Sequence, residues 1–178
     1  GLLTAGSPYA FPTIGSLLTI SLVHYAMVRG FPKRLAAEDF YILNKLAKVG
    51  KILRRPTVVS LRARPSDRVP FGTGVGVSDI LEAGFENFNV YDPRIFEALK
   101  TVLVALSDFP NHRKISKTKD TLSGNQLNEV LDKIGFWEML VNAAQTRPTA
   151  GDCLRHLHSS FDAFKTLKIV QEMRKSLY

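Results

Sequence analysis

The chain has 178 residues, 45% hydrophobic and 22% charged, a balance that excludes a disordered polymer and provides a core for one domain or a short array of repeats. Its one cysteine, Cys153, excludes an internal disulfide framework and a multi-cysteine zinc site. The net charge is +8, and the stretch from Lys45 to Arg68 holds eight basic residues and a single acid, Asp67. Charge concentrated in this way sets up a local potential that attracts a polyanion.

In chain order, residues 10–28 carry no charge. Leu17, Leu18, Leu22, Tyr25 and Val28 recur at helical spacing and predict a first helix. Its Leu18, Leu22 and Tyr25 face should pack on a second helix through Phe40 and Leu43, leaving Ser16, Thr19 and His24 less buried. The same run is just long enough to span a bilayer, which needs about 20 apolar residues, and Arg29, Lys33 and Arg34 would be its positive flank. Pro12, Thr13, Gly15, Ser16, Thr19, Ser21 and His24 interrupt it, and polar groups are costly in hydrocarbon, which favours the packed helix.

Phe40, Leu43, Leu46, Ala47 and Gly50 form the second stripe. A basic insertion rich in proline and glycine follows over residues 54–77, with an ambiguous short element in 57–63. Asp79 and Glu82 resemble a capping box opening a third helix through Ile80, Leu81, Phe85 and Phe88. Asp92 before Pro93 reads as an N-cap for a fourth helix through Ile95, Phe96, Leu99, Val102, Leu103 and Leu106. Residues 108–121 read as a polar basic loop. Ser123 and Thr149 can open the last two helix pairs, whose stripes run through Leu127–Ile134, Met139–Ala144, Leu154–Phe164 and Leu167–Leu177.

The stripes come in pairs. Leu22-Val-His-Tyr-Ala-Met-Val-Arg-Gly-Phe-Pro32 lies over Ala83-Gly-Phe-Glu-Asn-Phe-Asn-Val-Tyr-Asp-Pro93 without a gap. Looser versions stand at Leu131–Trp137 and Leu157–Phe164. The expectation is an all-α protein, one domain over residues 1–178, built as an α-solenoid-like array of about four helical hairpins. The alternative is an irregular helical bundle.

The pattern Leu22-x-x-Tyr25-Ala26-x-x-x-Gly30-Phe31-Pro32 with Asp39-Phe40-x-x-Leu43, and again Tyr91-Asp92-Pro93-Arg94-Ile95-Phe96-Glu97-Ala98-Leu99, resembles the heptatricopeptide-type hairpins of the FAST-kinase-like and RAP-domain proteins. The resemblance implies work in mitochondria or chloroplasts, on RNA or within organellar ribosomes. It carries no catalytic motif across, because such repeats share a packing pattern.

Lys45, Lys48 and Lys51 stand three apart and continue to Arg54, so that on a helix they would follow one slowly drifting face, and Arg55 adjoins them. Arg62, Arg64 and Arg68 add to them within the insertion, where they could fold onto RNA. Arg113, Lys114, Lys117 and Lys119 form a second basic segment, for which a solvated loop is the competing expectation. Gly72-Thr-Gly74-Val-Gly76 lacks the spacing of a dinucleotide fingerprint and reads as a flexible loop. His156 and His158 are two apart and cannot share a helix face, which argues against a metal pair. His24 reads as a packing residue, and Cys153, three residues from His156, as a structural thiol. Phe136 and Trp137, at a hairpin turn, are candidates for a partner contact.

The function expected from the sequence is a non-catalytic helical protein that needs no cofactor. It would bind RNA, most simply rRNA, beside neighbouring proteins of an organellar, mitochondrial ribosome or ribonucleoprotein. One alternative is an accessory subunit of an organellar membrane complex, anchored by residues 10–28. Another is a nucleocapsid-like helical protein with a basic groove.

Overall fold

The computed structural model describes residues 1–60, 65, 73–87 and 90–177, and every regular element among them is helical. The all-α class expected from the stripes is therefore observed. The chain divides into two compact units: Thr13–Val90, and Gly1–Pro12 together with Tyr91–Tyr178. The first is inserted between the two parts of the second.

The inserted unit opens on a 3-10 turn, Gly15–Leu17. It continues through α1 (Leu22–Met27), α2 (Glu38–Val49) and α3 (Thr73–Ala83) to a second 3-10 turn at Phe85–Asn87. The uncharged run 10–28 is thus broken and does not form one long helix. Leu18 and Ser21 are extended, and between them lie Thr19 and the β-branched Ile20, in a stretch rich in residues that hold helix weakly. No helix among the described residues is long and apolar enough to cross a membrane.

α1 packs on α2, but not through the expected face. Leu22 is 85% exposed, α1 has no buried residue, and the chain is pinned instead by the buried Val28 and Gly30 that follow it. Gly30 sits at φ +68 and donates its N–H to the Tyr25 carbonyl. A Cβ there would stand 2.9 Å from the Tyr25 ring, so both the turn and the close approach require glycine. α3 begins at Thr73, six residues before the expected capping box, and takes Gly74 and Gly76 into its first turns. Residues 57–60 form no regular element; the rest of the ambiguous stretch 57–63 lies outside the described residues.

The second unit is built on α4 (Pro93–His112), twenty residues long. Asp92 caps it as expected, accepting the Arg94 N–H at 2.8 Å, with Pro93 in the first turn. Ile95, Leu99, Val102, Leu106 and Phe109 form its buried stripe. α5 (Ile115–Thr121), α6 (Asn125–Lys133), α7 (Phe136–Thr146), α8 (Ala150–Ser160) and α9 (Ala163–Leu177) complete it. Thr149 caps α8 as expected, accepting the Asp152 N–H at 3.0 Å, whereas α6 is preceded by Gly124 and not by a Ser123 cap.

The basic segment 108–121 is helical and not a loop. The apolar stripe of α4 runs on through Phe109 and Pro110, both buried. Arg113, at φ +54, then ends α4, and α5 begins two residues later, burying Thr118. α4 packs on α8 and α9, α6 on α7 and α9, and α7 on α8, so the contacts close on themselves. In a linear array of hairpins α6 would not return to α9. The expected array is therefore not what these contacts describe; within this unit the bundle alternative is closer. The matched joint at 83–93 also straddles the boundary between units, so α3 and α4 do not form a hairpin of one unit.

Residues 1–9, which carry no helical stripe, are part of the second unit's packing: Ala5, Ser7 and Tyr9 are buried. Phe136 meets Trp137 at 5.1 Å and Phe161 at 6.0 Å between ring centroids, both edge-on, at the centre of the α6–α9 packing.

Candidate nucleic-acid interface

α2 carries the first cations. Glu38 and Asp39 occupy its first turn and Lys48 its last, which suits the helix dipole at both ends. Ile42, Leu43 and Leu46 take the buried side. Lys45 and Lys48, three apart on the exposed side, are therefore presented outwards. The Lys45 ammonium donates to the Val28 carbonyl at 3.2 Å, which ties it to the end of α1. α2 stops at Gly50, where a Cβ would lie 2.8 Å from His24 Nε2. The half-buried His24 is thus a packing residue for this end of the helix, in keeping with its expected role.

From Lys51 to Ser60 the chain has no regular structure and is exposed almost throughout. Lys51, Arg54 and Arg55 all lie in this stretch, exposed, and none of them meets a carboxylate among the described residues. Arg62, Arg64 and Arg68 lie outside the described residues. Just before α2, Arg34 is exposed with its guanidinium carbon 3.7 Å from the centroid of the Tyr41 ring. The charge pattern alone does not single out Arg34 or Tyr41; their pairing arises from the turn that leads into α2.

In the second unit the basic residues are largely engaged. Arg113 donates to the carbonyls of Arg147 at 2.8 Å, Pro148 at 3.0 Å and Ala144 at 3.4 Å, beyond and within the last turn of α7. Its charge faces the negative end of that helix. Lys119 sits 5.1 Å from the ring centroid of Trp137. Lys114, just before α5, and Lys117 on it remain exposed. Elsewhere in this unit Arg94 pairs with Asp92, Arg155 with Asp152, and both Lys133 and Lys175 with Glu172. Trp137 and Phe136 are buried, at 8% and 0% exposure, so the expected partner contact at this turn is instead core packing.

The remaining reactive groups are placed for packing. Cys153 is fully buried, and burial raises its thiol pKa against the opposing pull of Arg113. Burial, with the charge of Arg147 adding to it, lowers the His156 pKa; Arg147 Nη2 lies 3.2 Å from His156 Nδ1. Burial also lowers the pKa of His158. Among the described residues no three His, Cys, Asp or Glu side chains gather as metal ligands.

No protein-family model, curated protein or solved structure matches this chain.

Proposed function

We propose that the protein is a non-catalytic RNA-binding subunit of an organellar, mitochondrial ribonucleoprotein, and that RNA lies along Lys45, Lys48, Lys51, Arg54 and Arg55. One observation carries this reading. The exposed cations of α2 lead directly into an exposed stretch whose Lys51, Arg54 and Arg55 meet no carboxylate among the described residues. Each such cation can neutralise a phosphate and release a counterion. Among the described residues of the second unit, Arg94, Arg113, Lys119, Lys133, Arg155 and Lys175 are taken up by carbonyls, carboxylates or rings, which argues against general basicity as the source of binding. The organellar setting rests on the sequence resemblance at Leu22–Leu43 and Tyr91–Leu99 alone. Neighbouring proteins of an assembly fit the exposed apolar side chains of the inserted unit, Leu22, Val23, Met27 and Leu35.

The test is an affinity titration against salt with unrelated RNA sequences. Replacing Lys48, Lys51, Arg54 and Arg55 by glutamine should weaken binding to all of them and make the log–log salt slope shallower by roughly 0.7 per lost contact on single strands. Arg174→Gln with Lys175→Gln is the control, because Arg174 lies near the Tyr91 ring and Lys175 pairs with Glu172. Equal losses from the two sets would overturn the assignment.

A further inference from the structure

The cationic face of α2 begins with an aromatic residue. Tyr41 precedes Lys45 by four residues and Lys48 by seven, so the three share one side of the helix. Tyr41 is half-buried, and its ring meets Phe40 edge-on at 5.9 Å. Arg34 rests on it at 3.7 Å, the contact distance of a cation on an aromatic face. A guanidinium is planar and weakly hydrated, so one that rests on a ring can take a second planar group on its other face. Arg34 is exposed.

We propose that the Arg34–Tyr41 pair is a stacking platform for an unpaired nucleobase, and that this site takes single-stranded RNA. The proposal rests on the RNA-binding reading above and deepens it. Phosphate contacts alone do not distinguish single strands from duplexes, whereas base faces are open only in a single strand. Guanidinium planes and aromatic rings accept any base by stacking, which gives affinity without sequence preference. Holding Arg34 on Tyr41 before RNA arrives removes much of the side-chain freedom that stacking would otherwise cost. The order along the chain fits one strand: a base on Arg34, then phosphates along Lys45 and Lys48 and into the stretch with Lys51, Arg54 and Arg55.

The experiment compares two probes by fluorescence anisotropy at one salt concentration, using the full chain. One probe is an unstructured RNA oligonucleotide; the other is an abasic ribose-phosphate strand of the same length. The base-bearing strand should bind about tenfold tighter. Arg34→Lys keeps the charge and loses the plane, so the ratio of the two affinities should fall close to one. Tyr41→Leu should do the same by releasing Arg34, and Tyr41→Phe, which keeps the ring, should retain the ratio. Lys168→Gln, in the other unit, should leave the ratio unchanged. Circular dichroism of Arg34→Lys and Tyr41→Phe checks that the helices persist. Equal binding of the two strands by the unmodified chain, or a ratio that survives Arg34→Lys, overturns the platform while leaving the phosphate contacts standing. Failure of both strands to bind overturns the RNA reading and this proposal together.

Discussion

The guanidinium of Arg113 reaches three carbonyls at the end of α7 from a left-handed position at the end of α4. That makes it a helix cap supplied from a different helix. Arg113→Ala should lower stability by about 1–2 kcal/mol, as expected for charge-assisted bonds at a helix C-terminus, and should shift the urea midpoint. It should leave the salt slope of RNA binding untouched, which separates it from Lys51, Arg54 and Arg55. Tyr9 is the second such residue. Its hydroxyl donates to the His158 carbonyl at 2.8 Å. Burial, aided by the charge of Asp162, pushes its phenol from 10.0 up to about 12. The folded-state value is raised, so its contribution to stability is complete below about pH 10 and is lost as the pH rises to about 12. Tyr9→Phe should cost about 1 kcal/mol at neutral pH and remove that residue's share of the alkaline loss, read from denaturation midpoints across the range.

At the scale of elements, the turn between α8 and α9 and the start of α4 bear differently on the core. Phe161 is 1% exposed and packs edge-on against Phe136. Phe161→Ala should cost about 3–5 kcal/mol, because the surrounding helices close only partly over the space it leaves. Phe96 is only partly buried, with its ring edge-on to Tyr91 at 6.3 Å, so Phe96→Ala should cost clearly less. Chemical denaturation of the two variants measures the difference, and equal losses would mean that the first turn of α4 is as deeply packed as the α8–α9 turn. The inserted unit differs from this. Its α1 has six residues and buries none of them, while α2 gives Ile42, Leu43 and Leu46 to a small core. An element this short draws its stability from its neighbours rather than from its own hydrogen bonds.

For the whole molecule, the division into two units predicts a definite digestion pattern. Lys51, Arg54 and Arg55 are exposed in a stretch with no helical hydrogen bonds, which is where proteases cut first. Mild trypsin treatment should cleave after Lys51 and Arg54 (Arg55 is shielded by Pro56) before it cleaves within α4 to α9, leaving a resistant C-terminal fragment that contains residues 94–177. Mass spectrometry of the early fragments checks this. First cuts at Lys133 or Lys165 would mean that the closed contacts among α4 and α6–α9 are weaker than their buried side chains imply.

Local chemistry alone determined the helical class, the caps at Asp92 and Thr149, and the position of the basic excess. Each depends on residues within about one helical turn, a range over which spacing and side-chain type suffice. Misplaced elements also have local causes: the basic composition of 108–121 suggested a loop, although the apolar stripe of α4 continues through it to Pro110 and α5 follows. What only the tertiary structure decided depends on partners far apart in the chain. Arg113 meets carbonyls 31 to 35 residues away, and Tyr9 a carbonyl 149 residues away. Trp137 and Phe136 are buried because other helices cover them, and the contacts of the second unit close because α6 returns to α9. The difference between a cation engaged in the fold and one exposed to a ligand is likewise set by these distant neighbours, so charge counting located the basic segments without separating Arg113 from Lys51, Arg54 and Arg55.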